Sequence, residues 1–245
     1  MKMVGIDVGG SGIKAAVVET DTGELATERR RVVTPQPATP KAVAEATALL
    51  VEELPAGPVG IGFPAVVLHG QTMTAANIDP SWIGTQADLL FGAALDREVT
   101  IGNDADVAGL AEMRFGAGRG QGGTVLMLTI GTGIGSALFI DGQLVPNTEL
   151  GHLEVRGKEA EKRASSSAKD RKDLSWGDWS KRLAEVIEHI DALIWPDLVI
   201  IGGGVSKESA KFIPQLNVRA RCVAAALHNE AGIVGAALLG AESAG

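Results

Sequence analysis

A single cysteine, Cys222, occurs in the 245 residues, which excludes an intrachain disulfide and leaves no cysteine cluster for zinc or an iron–sulfur centre. A reducing, cytoplasmic setting is the expectation that follows. No stretch reaches the roughly eighteen uninterrupted apolar residues of a membrane span. The opening Met1-Lys2-Met3-Val4-Gly5-Ile6-Asp7 puts a carboxylate where a signal peptide needs its apolar centre. Neither a secretory signal nor a membrane partner is therefore expected. Positive charge is also short, with 22 Lys and Arg against 30 Asp and Glu and a net charge of −8, which argues against nucleic acid as a partner. What is present is apolar: 45% of the chain is hydrophobic, enough to core one large domain or two small lobes.

The organising pattern is a strand, a glycine turn and a second strand, and it occurs twice. Residues 3–8 form an apolar run ending in Asp7-Val8, followed by Gly9-Gly10-Ser11-Gly12 and a β-prone run over 13–18 that contains Lys14. Residues 124–130 are equally β-prone, turn at Gly131-Thr132-Gly133 and return as 134–140. Glycines in such turns let backbone amides approach a ligand closely and cradle a phosphate. A dinucleotide fingerprint fits less well, because it opens a helix and the residues after Gly12 read as a strand. One glycine hairpin is commonplace; two related ones indicate two related lobes.

Between them lies Val99-Thr-Ile-Gly-Asn-Asp-Ala-Asp106. The β-branched start suits a buried strand and the residues after Asp104 suit a helix, so Asn103 and Asp104 fall at a strand-to-helix turn. Such turns at the carboxyl ends of strands face the ligand crevice of an open α/β sheet, and a helix start favours negative charge. Asn and Asp are also ordinary caps, and the stretch alone leaves the two readings open.

Other segments carry weaker signals. Residues 25–33 read as a third strand whose Arg29, Arg30 and Arg31 line a solvated face, and Pro40 begins a helix. In Asn77-Ile-Asp79-Pro-Ser-Trp82, the tryptophan either plugs the core or packs beside a ligand, with Asn77 and Asp79 as the polar groups a sugar needs. The glycine-rich residues 116–123 read as a flexible loop. Glu149 and His152 offer an acceptor and a switchable donor or acceptor suited to a polyol. Residues 156–172 carry seven basic and three acidic side chains around a small polar centre, which favours a mobile loop able to bind an extended polyanion. Ser175 caps an amphipathic helix, and the strand over 198–201 runs into Gly202-Gly203-Gly204, with another helix opening at Ser206. The last helix is rich in small residues that permit close packing.

Together these motifs resemble the ROK sugar kinases of the actin-like ATPase superfamily, and more narrowly their polyphosphate glucokinase branch. Asp7-Val-Gly-Gly-Ser-Gly-Ile-Lys14 is similar to the family's first phosphate motif, Thr129-Ile-Gly-Thr-Gly-Ile-Gly-Ser136 to the second, and Val199-Ile-Ile-Gly-Gly-Gly-Val205 to the adenosine motif. Asn103-Asp104-Ala105 and Glu149-Leu-Gly-His152 resemble the sugar motifs, and residues 77–82 point to the polyphosphate branch. The resemblance implies an α/β, two-lobed actin-like ATPase (ribonuclease H-like) fold with a mixed β-sheet in each lobe, divided at 1–115 and 116–245. It implies phosphoryl transfer from polyphosphate or ATP to the 6-hydroxyl of glucose, with Asp104 as base and Asn77, Asn103, Glu149, His152 and Glu161 on the sugar. Phosphate would be held by Gly9, Gly10, Ser11, Lys14, Gly131, Thr132, Gly133, Gly202 and Gly203, and hydrated magnesium by Asp7. Typical members carry a cysteine-rich zinc loop after Glu-x-Gly-His; this chain has no cysteine there, so no zinc is expected. A homodimer is what the family implies. The rival readings are a strictly ATP-dependent hexokinase and a non-catalytic sugar sensor. A repressor is not expected, since only Met1 and Lys2 precede the first strand.

Overall fold

The computed structural model describes residues 1–76 and 78–243. The hairpin β1 (Lys2–Gly9) and β2 (Gly12–Glu19) opens the chain, followed by β3 (Glu24–Leu25), β4 (Arg30–Val32), α1 (Pro40–Val51) and β5 (Val59–Phe63). Next come β6 (Val67–Leu68), β7 (Gln71–Thr72), α2 (Ala87–Leu95), β8 (Val99–Asn103) and α3 (Asp104–Phe115). A second hairpin, β9 (Thr124–Ile130) and β10 (Ile134–Ile140), leads to β11 (Gln143–Val145), β12 (Glu154–Val155), β13 (Lys158–Glu159), α4 (Ala160–Ala164) and α5 (Ser166–Arg171). The chain closes with α6 (Trp176–Ile194), β14 (Leu198–Gly202), β15 (Arg221–Ala224) and α7 (Ala231–Ser243).

Two compact units result: Met1–Ala111 with Glu230–Gly245, and Glu112–Asn229. Each holds a mixed sheet, as expected. In the first the order is β3-β2-β1-β5-β8, with β4 also on β2; β1, β5 and β8 run parallel and β2 antiparallel. In the second the order is β11-β10-β9-β14-β15, with β9, β14 and β15 parallel and β10 antiparallel. The strands buried on both faces are the near-continuous apolar ones, β5 and β14.

The first core gathers Ile6, Ile13, Ile61 and the ring cluster of Phe63, Trp82 and Phe91. Trp82 is fully buried and its indole N–H donates to the Ala38 carbonyl at 2.9 Å, so it is a core plug and not a ligand platform. The second core packs α6 through Leu183, Val186, Ile187 and Ile190, with Trp176, Trp179 and Phe212 stacked edge and face. Ser175 caps α6 through the Asp178 amide, and Thr39 caps α1 ahead of Pro40.

Three expectations need correction. The strand over 25–33 is broken into β3 and β4, because Thr27 Oγ1 takes the Val17 N–H at 3.0 Å in place of a backbone carbonyl. The segment from Ser206 is 3-10 helix, Gly204–Lys211, kinked at Glu208. Residues 116–123 are a loop, as expected, of consecutive turns anchored by Glu112, whose fully buried carboxylate accepts the amides of Ala117, Ala226 and Leu227 at 2.7–3.0 Å. The domain division also differs from 1–115 and 116–245, since α7 packs on β1 and β5 of the first unit. Glycine makes that packing possible: a Cβ on Gly60 would lie 1.7 Å from the Ala236 carbonyl oxygen, and one on Gly235 1.6 Å from that of Val107. No helix among the described residues is long and apolar enough to cross a membrane.

Candidate active site

Sheet register decides what meets in the first unit. Asp7 pairs with Gly62, and Gly62 with Gly102, so the ends of β1, β5 and β8 lie level at one edge. Two strand spacings, about 10 Å, therefore separate Asp7 from the residue preceding Asn103. Gly62 keeps the space between them low: its absent Cβ would meet Val107 at 2.6 Å and the Asp104 Cα at 3.7 Å. Asp7, largely shielded, receives the Lys14 ammonium at 2.7 Å across the hairpin. Gly232, in the first turn of α7, presses on this carboxylate, a Cβ there standing 2.8 Å from its Cγ. The Gly9–Gly12 turn beyond it is fixed through its carbonyls. Thr34 Oγ1 donates to the Gly9 carbonyl at 2.5 Å, Gln36 to that of Gly10 at 3.5 Å and Arg31 to that of Ser11 at 3.3 Å.

At the end of β8 the capping question is resolved in favour of Asn103. Its Oδ1 accepts the amides of Ala105 and Asp106 at 2.8 and 3.1 Å, while its Nδ2 donates to the Ala65 carbonyl. Asn103 is 7% exposed. Asp104 stands as the first, partly buried residue of α3.

The second unit builds an edge of its own. The Gly131–Gly133 turn is closed by the Gly131 amide donating to Gly133, and the Gly131 carbonyl accepts the Ser166 and Ser167 amides at 3.0 and 3.4 Å. A Cβ on Gly131 would meet nothing within 4 Å, so neither packing nor a positive φ demands glycine there. The 3-10 turn Leu150–His152 is buttoned to the same hairpin. Ser136 Oγ donates to the Thr148 carbonyl and accepts the Leu150 amide, and Gly151 passes so close that a Cβ would lie 1.9 Å from the Ile134 oxygen. His152 Nε2 lies 3.6 Å from Glu149, and its Nδ1 3.4 Å from Glu159. Burial pushes the Glu149 carboxyl above its ordinary range, His152 opposing the shift and nearby Glu161 adding to it. Glu149, His152 and Glu161 are thus brought together, with a fourth member, Glu159, that the sequence reading did not single out.

Residues 3–168 match the model of the ROK family. The chain belongs to the ROK family. It is 55% identical over 236 residues to the polyphosphate glucokinase of Mycobacterium tuberculosis, covering 96% of this chain and 89% of that protein. Its structure is similar to that of an inorganic polyphosphate/ATP-glucomannokinase from Arthrobacter sp. strain KM, with a TM-score of 0.96, 52% identity and 99% of each chain covered. A ROK family glucokinase from Streptomyces griseus, solved with glucose and AMPPNP, matches at a TM-score of 0.82 and 25% identity over 99% of this chain and 100% of that one.

Several residues of this ROK chain sit differently from expectation. Gly202 is buried in β14 against Met127, and Gly203, with φ 77°, is required by the close approach of Ile130; both have packing duties whatever else they do. Asp79 caps the Pro80–Trp82 turn, and two hydrogen bonds from Ser81 hold its carboxyl below the usual range. Asn77 lies outside the described residues. Arg31 is exposed, as a solvated face requires, and also stands opposite Lys14 and against Gly12 in the first turn; only strand register reveals this second position, since β4 begins after the break. The basic segment is not a loose loop. Ala160, Ala164 and Ala168 are fully buried at helical spacing, and Trp179 donates to the Ala164 carbonyl at 3.0 Å, which orders α4 and α5. His152, Glu159 and Glu161 hold ligand atoms within 4.8 Å of one another, but the Lys162 ammonium already binds Glu159 and supplies the positive charge there.

Proposed function

We propose that this ROK protein transfers a phosphoryl group from inorganic polyphosphate, and also from ATP, to the 6-hydroxyl of glucose. The kinase reading is carried by the level register of Asp7, Gly62 and Gly102, which brings a phosphate-type glycine turn and the aspartate that opens α3 to one sheet edge. The donor rests on similarity to polyphosphate glucokinase and to polyphosphate/ATP-glucomannokinase.

In this reading the 6-hydroxyl oxygen attacks the terminal phosphorus, its proton passes to the Asp104 carboxylate, and the bond to the remaining donor breaks. Phosphoryl transfer needs chiefly positioning and charge stabilisation. Glu149, His152 and Glu161 accept and donate to sugar hydroxyls; Asn77 and Asn103 add to them. Gly9, Gly10, Ser11, Lys14, Gly131, Thr132 and Gly133 cradle phosphate, and Gly202 and Gly203 shape the neighbouring backbone. The Asp7 carboxylate, a hard oxygen donor with one oxygen on Lys14 and no side chain beyond Gly232, suits a hydrated magnesium. That ion, when bound, would neutralise donor charge. A cytoplasmic homodimer belongs to the same reading.

The test is a donor panel with purified protein, glucose and magnesium, comparing ATP, tripolyphosphate and long-chain polyphosphate by glucose 6-phosphate formation. Turnover with long-chain polyphosphate is expected. Turnover with ATP alone would establish a strictly ATP-dependent hexokinase, and none with any donor would favour a non-catalytic sensor.

A further inference from the structure

Several cations around residues 156–172 are neutralised locally. Arg156 and Arg163 share Glu185, Lys162 is held by Glu159, and Lys169 lies over the Trp176 ring at 4.6 Å. Their neighbours Lys158, Arg171, Lys172 and Arg182 form no ion pair among the described residues. Lys158, Arg171 and Lys172 line one cavity of about 620 Å³, with His152 at one wall. Burial lowers the proton affinity of Lys172, and Arg182, Lys158, Arg171 and Arg163 lower it further, so the positive field of all of them is felt at one point. Of the two acidic lining residues, Glu159 is occupied by Lys162 and His152, and Glu154 is exposed. In a chain of net charge −8 this concentration of cations around one cavity favours an anionic counter-charge from outside.

Position gives the counter-charge its form. Helix α5 begins on the Gly131 carbonyl and ends at Arg171, and its six residues span about 9 Å. The cavity therefore stands one short helix away from the glycine turn, a distance that a chain of several phosphates covers and a single phosphoryl group does not. We infer that the cavity of Lys158, Arg171 and Lys172, with Arg182 behind it, is a distal subsite for the tail of a linear polyphosphate whose reacting end lies elsewhere. The inference rests on the donor assignment above and adds to it a residue set and a chain-length dependence: long chains reach the subsite, and ATP and tripolyphosphate react without it.

The experiment compares wild type with the triple variant Lys158→Ala, Arg171→Ala, Lys172→Ala, and with a control of equal charge change at exposed sites elsewhere, Lys2→Ala, Lys207→Ala, Arg221→Ala. KM and kcat are measured for long-chain polyphosphate, tripolyphosphate and ATP at several salt concentrations. The subsite variant is expected to raise the long-chain KM about tenfold at low salt and to flatten its salt dependence, as loss of multiple phosphate contacts does. Its ATP and tripolyphosphate kinetics, and all kinetics of the control, are expected to stay within about twofold of wild type. An unchanged long-chain KM, or an equal rise in the control, overturns the subsite while leaving the donor assignment standing. Failure of the wild type itself to use polyphosphate overturns the donor assignment, and the tail subsite with it.

Discussion

The two glycine turns have the same strand layout and different supports. The Gly9–Gly12 turn is held by side chains that reach its carbonyls, Arg31 from β4 and Thr34 and Gln36 from the loop after it. The Gly131–Gly133 turn is held by backbone, its Gly131 carbonyl receiving the first amides of α5. The sheet edges differ as well: the parallel strands of the first unit lead to Asn103 and Asp104 at a helix start, whereas those of the second lead to Gly202–Gly204 and to the loop fastened by Glu112. A duplicated scaffold thus carries a carboxylate at one edge and packing glycines at the other, so the units are alike in fold and unlike in chemistry.

The sharpest way to break this contrast is Asp104→Asn, which is expected to lower kcat by about two orders of magnitude or more with little change in the KM for glucose. Near-normal turnover in the folded variant removes the base from the first edge. Next in size is the glycine pair of the second unit. Gly151→Ala drives a Cβ into the Ile134 carbonyl and is expected to cost about 1–3 kcal/mol by chemical denaturation. Gly131→Ala meets open space and is expected to leave stability within about 0.5 kcal/mol while raising the KM for the phosphoryl donor. Equal stability losses for the two would mean that Gly131 is there for packing.

Smaller effects separate side-chain from backbone support. Thr34→Val removes the bond to the Gly9 carbonyl at a site 1% exposed, and Ser165→Ala removes the cap of α5; each is expected to cost about 1 kcal/mol. The first should perturb only the first turn and the second only the second, read by amide hydrogen exchange. The smallest effect concerns pH. Because the Glu149 pKa is raised in the folded state, the native protein binds this proton more readily than the unfolded chain, and the group's contribution to stability falls as pH rises through that window. On acidification the carboxylate needed for sugar is lost sooner than for an ordinary glutamate. The KM for glucose is expected to rise on that limb, and Glu149→Gln to flatten it.

Local pattern made much of the fold legible. Both hairpins, the strand-to-helix turn at Asp104, the caps at Thr39 and Ser175 and the small-residue last helix follow from short-range periodicity and turn chemistry. The misses were long-range. The break between β3 and β4 depends on Thr27 reaching Val17, and the order of residues 156–172 depends on three alanines meeting Trp179 and its neighbours. Arg31 came beside the first turn through strand pairing, and Glu159 beside His152 through the β12–β13 hairpin.

By itself, the sequence determined that this chain has two mixed sheets with a glycine turn in each, and it named the carboxylates and histidine proposed here to hold the sugar. Only tertiary structure decided that Asn103 caps α3, that α7 packs with the first unit, and that Lys158, Arg171 and Lys172 gather around one cavity. The reason is physical: propensity, alternation and capping act over a few residues, whereas register, close glycine contacts and charge pairing depend on which distant segments the packed core brings together.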